Sequence, residues 1–214
     1  MKKATKEQIK EIKQKFIHNY KDSVTELKFK NDYELLVSII LSAQCTDKRV
    51  NIITPELFRR YKDIESLSNA KLQDVKDIIK SCSFFNNKAK NIISMANRVK
   101  EKFQNKIPNN QKDLISLSGV GIKTANVFLI EFYGQNYMAV DTHVFRVSHR
   151  LGLSYGKTVL QTQDDLTKIL KDDLGLFHQS MVLFGRYICK AVKPDCQNCL
   201  FDHLCQTTQS FKPS

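Results

Sequence analysis

At 214 residues the chain has room for one large domain or two small ones. A 42% hydrophobic content sustains a core and excludes wholesale disorder, and 7 Gly with 4 Pro are too few for a turn-rich β architecture, so an all-α protein is expected. The 34 Lys and Arg against 22 Asp and Glu give a formal charge of +12, which suits nucleic acid or an anionic membrane surface; no apolar run of about 18 residues exists, which excludes a membrane-spanning helix.

The N-terminus, MKKATKEQIKEIKQKFIHNY, starts basic but lacks the apolar stretch of a signal peptide. Ile9, Ile12, Phe16, Ile17 and Tyr20 recur at helical spacing behind a Thr5/Gln8 capping box. A basic amphipathic helix can lie on a membrane, but the apolar face here is narrow and docking against the protein explains it. Without an export signal the chain is expected in the cytoplasm, at the nucleoid if bacterial. Thiols stay reduced there, so the six cysteines are not read as three disulfides.

From about Asn31 onward helix follows helix. Asn31 and Glu34 cap an apolar run from Leu35 to Ala43, and Ser68 is expected to open a segment carrying Leu72, Val75, Ile78 and Ile79. Asn86 or Asn87 precedes a stripe of Ala89, Ile92, Ile93, Ala96, Val99 and Phe103. The connections at 62–63 and 105–110 are short and polar, as in a packed helical bundle. Cys45 and Cys82 read as small buried residues. Residues 207–214 are polar and expected to fray.

The segment LISLSGVGIKTA, residues 114–125, joins two helical patterns through Gly119-Val120-Gly121. Glycines permit backbone angles closed to other residues, so a sharp reversal fits here. The helix that follows begins with free N–H groups able to bind a phosphate. This is a helix–hairpin–helix pattern of DNA-binding proteins, with Gly119, Val120, Gly121 and Thr124 as its DNA contacts. Lys123 falls in the first turn of the second helix, where the macrodipole opposes a positive charge. A neutral amine there is a nucleophile able to form a Schiff base. On this ground alone, a nucleophile and a phosphate-contacting lysine stand level.

In MAVDTHVFRV, residues 138–147, Asp141 is placed as a helix N-cap with Val140 and Phe145 as a hydrophobic staple. A cap carboxylate can also face a cleft and stabilise a developing cation; the two roles are compatible, and the cap alone accounts for the residue type. Cys189, Cys196, Cys199 and Cys205 follow a C-x6-C-x2-C-x5-C spacing. Structural zinc usually draws on two separated close pairs, whereas one pair flanked by two single cysteines suits a [4Fe–4S] cluster better. Zinc, or unrelated thiols, remain the alternatives. Lys190 and Lys193, on the loop between the first two cysteines, are candidate phosphate contacts, an ordinary solvated face being the other reading.

LSGVGIKTANVFL, then AVDTHVFRV with its aspartate eighteen residues after the lysine, then the four-cysteine tail, resembles the endonuclease III family of iron–sulfur, helix–hairpin–helix DNA glycosylases and AP lyases. LVSIILSAQCTDKRVN near the start matches as well, so the resemblance covers nearly the whole chain. It implies a two-domain fold. A six-helix domain spans 25–135, with the helix–hairpin–helix at 107–132, and a discontinuous domain of 1–24 plus 136–214 carries the cluster loop 189–205. DNA binds across the cleft of that fold. By the same resemblance Lys123 is the nucleophile, Asp141 the catalytic aspartate, and Cys189, Cys196, Cys199 and Cys205 the ligands of a [4Fe–4S] cluster. Gln44 probes the gap left by an extruded nucleotide, Phe84 takes the place of an intercalating wedge that is often leucine, and His143 lines the site.

The implied activity is base excision on double-stranded DNA holding damaged bases or abasic sites, by a monomer away from membranes. Oxidised pyrimidines such as thymine glycol are released, and the strand is nicked 3′ by β-elimination. Ser118 departs from a common proline and is expected to loosen the hairpin slightly; Asp195 puts an acid where the cluster loop is often basic; Ser83 and Phe84 alter the wedge; Met181 takes a position where the family can have Trp. An adenine glycosylase of the same superfamily would lack the lysine at 123. A non-enzymatic DNA-binding or iron–sulfur sensor protein would have no use for Lys123 and Asp141 together.

Overall fold

A computed structural model describes residues 3–207, and no strand occurs among them. The all-α expectation therefore holds; the expected fraying of the tail falls mainly on residues 208–214, outside the described part. Thr25–Gly134 forms one compact unit, and the described residues before and after it form a second.

In the middle unit α2 (Asp32–Ser42) is apolar on nearly every side, and Leu35, Leu36, Val37 and Leu41 are fully buried. A helix with no polar face has to be central. It packs against α3 (Asp47–Arg60), α6 (Phe85–Phe103) and α8 (Ile122–Tyr133). Asn31 caps α2 by accepting the Glu34 N–H at 2.9 Å, while the Glu34 carboxylate reaches back one residue further than a capping box, to the Lys30 N–H. The short α4 (Ile64–Ser68) and α5 (Leu72–Ile79) lie on α6, and α7 (Gln111–Leu114) precedes the hairpin. With the two short helices counted the unit has seven, where the resemblance implies six.

Two expected helix starts are corrected. Ser68 ends α4 instead of opening α5, because its hydroxyl is taken by the Glu65 carbonyl; α5 starts at Lys71 without a side-chain cap. Asn86 and Asn87 lie inside α6, which Phe84 begins from a left-handed backbone. The predicted stripe is buried at Ala89, Ile92, Ala96 and Val99, with Met95 added and Ile93 and Phe103 only partly covered.

In the other unit α1 (Lys6–Tyr20) packs on α11 (Leu174–Tyr187), which also meets α9 (Thr142–Arg150) and α10 (Val159–Leu170). The Thr5/Gln8 capping box forms as read. Phe16 is fully buried, its ring 4.7 Å from Phe201 and 5.8 Å from Phe184, and burial of such a side chain contributes about 1.5–3 kcal/mol. Lys13 and Lys15 donate to the carbonyls of Leu170 and Leu200 at 3.0 and 2.8 Å. The N-terminal helix is thus docked on its own protein. Among the described residues no helix is long and apolar enough to cross a membrane.

Glu131 on α8 is a buried carboxyl that accepts the Thr25 N–H at 3.1 Å, and burial pushes its pKa up to about 7. The folded state then holds the proton more tightly than the unfolded chain, so stability falls as pH rises from about 4.5 to 7 and levels off above. Glu131→Gln, which keeps the oxygen acceptor without the charge, should flatten that slope in denaturant melts. An unchanged slope would assign the pH dependence elsewhere.

Candidate functional site

The middle unit builds the hairpin. Gly119 has φ +78°, and a Cβ there would lie 3.0 Å from the Asn91 Cβ, so both conformation and space demand glycine. Gly121 differs. It is the N-cap of α8 with ordinary backbone (φ −87°), and a Cβ there would meet nothing within 4 Å. The bare surface at Gly121 is therefore free for close approach by another molecule. Val120 turns inward, with its side chain buried and its N–H given to the Leu117 carbonyl at 3.1 Å.

No side chain caps α8, and its first turn carries exposed Lys123 and half-buried Thr124. Unpaired N–H groups at a helix start attract an anion. The Ser118 hydroxyl pairs with that of Ser94 on α6 at 2.7 Å, and Arg98 reaches Ser116 at 3.3 Å.

Gln44 and Phe84, the two predicted probes, are both exposed and both left-handed, with φ of 53° and 56°. Such backbone costs a non-glycine residue about 1–2 kcal/mol, and it persists only where neighbours hold it. Phe84 is 63% exposed, although no packing need puts a phenylalanine in water. Lys88 holds the Gln44 turn: its ammonium, on the buried side of α6, donates to the carbonyls of Leu41 and Ala43 at 2.8 and 2.7 Å. These carbonyls belong to the end of α2, where the helix has no partners of its own. Sequence reasoning passed over Lys88, yet its register four residues before Ile92 puts it on the buried stripe.

The second unit presents the acid and the cysteines. The Asp141 carboxylate caps α9, accepting from the N–H groups of His143 and Val144 at 2.8 and 2.7 Å. Its other oxygen lies 2.8 Å from Nδ1 of His143, which fixes the imidazole with Nδ1–H as donor to the ionised carboxylate. Close approach of α11 needs Gly185, where a Cβ would lie 2.8 Å from that of His143. The cap is as read from the sequence; the pairing with His143 was not foreseen.

Cys189, Cys196, Cys199 and Cys205 line one cavity together with Arg150. Burial first, with neighbouring thiols adding to it, pushes Cys199 up to about 11 and raises Cys196 as well. Four soft donors that discourage one another's ionisation fit a soft cationic centre, which would reverse that bias. Among the described residues, no three or more Cys, His, Asp or Glu side chains are arranged to hold a single metal ion. The cavity is tied to α9 by arginines the sequence reading missed: Arg146 donates to the carbonyls of Cys189 and Gly185, and Arg150 to the Lys190 carbonyl at 2.8 Å and the Cys189 sulfur at 3.2 Å. Their spacing along α9, one turn apart, was the available signal. Lys190 and Lys193 are exposed on this loop, and Asp195 is turned to Asn198, accepting from its side chain at 3.0 Å.

Comparison with known proteins gives a consistent result. The HhH-GPD superfamily of base excision DNA repair proteins matches residues 37–172. Endonuclease III of Rickettsia prowazekii (strain Madrid E) is 45% identical over 192 residues, 89% of this chain and 91% of that protein. A trapped endonuclease III–DNA covalent intermediate and a non-covalent endonuclease III–DNA complex each superpose with a TM-score of 0.92 at 37% identity, covering 97% of this chain and 98% of theirs.

The two glycines give a stability test. Gly119→Ala should lower unfolding stability by about 1–3 kcal/mol, whereas Gly121→Ala should stay within about 1 kcal/mol of the wild type. Equal losses in chemical denaturation would refute the distinction drawn between them.

Proposed function

Because this chain belongs to the HhH-GPD superfamily and, within it, to the endonuclease III proteins, we propose that its Lys123 and Asp141 carry out excision and strand cleavage on oxidised pyrimidines in duplex DNA. It is a base excision repair DNA glycosylase with AP lyase activity, and it binds DNA. The observation that carries the proposed roles is an exposed lysine in the first turn of α8, immediately behind a hairpin whose free N–H groups suit a phosphate.

A base inside a duplex is out of reach, so its nucleotide is first flipped out, at a cost of a few kcal/mol that damage reduces. Phe84 supplies the exposed apolar wedge and Gln44 the polar probe for the space left in the stack. Gly119, Gly121 and Thr124 hold a phosphate through the hairpin, with Lys190 and Lys193 as further cationic contacts. The neutral Lys123 amine attacks C1′ as the base departs with its bonding electrons. Asp141 stabilises the positive charge that develops on the sugar, and His143 keeps its carboxylate oriented.

Loss of the amine proton and opening of the sugar ring give a Schiff base, which acidifies the C2′ protons. Removal of one of these expels the 3′ phosphate oxygen, and water then frees the lysine. Cys189, Cys196, Cys199 and Cys205 are the residues that would hold a [4Fe–4S] cluster, whose contribution when bound is to cross-link the loop. Arg146 and Arg150 fix that loop on α9, and Lys190 and Lys193 are displayed from it. The substrates are thymine glycol and related pyrimidines together with abasic sites, met on cytoplasmic DNA by a monomer.

Borohydride trapping on a thymine-glycol duplex tests the assignment. Wild type should give a covalent adduct and Lys123→Gln none, with DNA binding retained. Asp141→Asn keeps a good N-cap, so its fold should persist while base release slows by about a hundredfold or more. Trapping by Lys123→Gln, or near-normal release by Asp141→Asn, would remove that residue from the chemistry. Affinity should also fall steeply between low and moderate salt, as displaced counterions require; a flat response would argue against phosphate anchoring.

A further inference from the structure

Cys45 and Cys82 lie outside the cluster loop, and their sulfurs meet at 3.4 Å across 37 residues of chain. Both are free thiols. The expectation of two small buried residues holds for Cys82 and fails for Cys45, which is only half-covered. Cys45 directly follows Gln44, and Cys82 lies two residues before Phe84, so the pair bridges the two turns with left-handed, exposed residues. The Lys88 ammonium, seated on the carbonyls of Leu41 and Ala43, acts on both sulfurs, and Arg49 adds positive charge at Cys82. Cations beside a thiol favour the thiolate, its reactive form. Burial pushes Cys82 up to about 12, which leaves the more accessible Cys45 as the sulfur that reacts first.

We propose that Cys45 and Cys82 are an oxidation site, at which hydrogen peroxide converts the two thiols into a reversible disulfide that staples the Gln44 turn to the Phe84 turn. The Cys45 sulfur attacks one peroxide oxygen, the O–O bond breaks, and the departing hydroxide takes up the Cys45 proton as water, leaving a sulfenic acid. The Cys82 sulfur then attacks the Cys45 sulfur. The S–O bond breaks, and the hydroxide released leaves as a second water with the Cys82 proton. Two thiols and one peroxide become a disulfide and two waters, the two electrons passing from sulfur to peroxide oxygen. The sulfurs close from 3.4 Å to a bonded distance of about 2.05 Å.

The consequence for activity rests on the roles proposed above for Gln44 and Phe84. Turns that have to follow a duplex as it opens are held at one fixed spacing by the staple, and cleavage slows. A thiol reductant returns the pair to the free state by exchange.

Holoprotein treated briefly with hydrogen peroxide, then alkylated and digested, should yield a peptide pair cross-linked through Cys45 and Cys82 that dithiothreitol separates. The visible absorbance of the cluster is followed in the same sample to exclude its loss. Cleavage of an abasic duplex should fall severalfold in the oxidised protein and recover with dithiothreitol, while Cys45→Ser and Cys82→Ser retain their activity under the same peroxide. Full alkylation of both cysteines after peroxide, with the cluster intact, would overturn the oxidation site. A disulfide that leaves cleavage unchanged, or equal peroxide sensitivity in the serine variants, would overturn its effect on activity. Reduced wild type that fails to cleave at all would instead overturn the proposed function, with the cross-link still read by mass.

Discussion

An α-helix leaves its first N–H groups and last carbonyls without partners in the helix itself, and in this chain those ends carry the residues proposed for the chemistry. Gln44 follows the end of α2, and Phe84 starts α6. Gly121 caps α8, with Lys123 one residue into it, and Asp141 caps α9. Each end is completed differently. Lys88 supplies a cation to the carbonyls of α2, Asp141 supplies a carboxylate to the N–H groups of α9, and α8 receives no side chain at all. Neither α6 nor α8 has a capping side chain, and the open start of α8 lies beside the proposed nucleophile, where a phosphate has much to gain.

In the second unit α9 works as a strut. Its N-terminus spends the Asp141 carboxylate on the helix and on His143, and further along it Arg146 and Arg150 grip the main chain around Cys189. The loop that gathers the cysteines and the helix that presents the acid are therefore one mechanical piece. Gly185 completes it by letting α11 approach the first turn of α9. A side chain at that glycine would press on His143 before it touched anything else.

The helices with a long apolar period or a polar cap were legible in the sequence, because those features report local physics. The Thr5 capping box, the Asn31 cap and the Asp141 cap are of this kind. Ser68 misled because serine satisfies a carbonyl at the end of a helix as readily as it caps a start. Phe84 opens α6 with no capping side chain, so no residue code announces it. Lys88, Arg146 and Arg150 went unread for another reason: apart from the Cys189 sulfur beside Arg150, the partners named for them are main-chain carbonyls up to 47 residues away, which carry no residue identity. Gly119 and Gly121 look alike in sequence and are opposite in structure, one forced by backbone and space, the other by neither.

The docking of α1 has a consequence for the order in which the chain is assembled. Lys13 and Lys15 find their acceptors 157 and 185 residues later, and Phe16 waits for Phe184 and Phe201. At a synthesis rate of about 5–20 residues per second, α1 spends roughly ten to forty seconds after it is made without its partners. The middle unit is one contiguous stretch, Thr25–Gly134, so its whole chain has been made well before that. Helix α1, made before the middle unit, is thus buried after it, and the polar and charged residues that make up most of its surface lessen the cost of that interval in water.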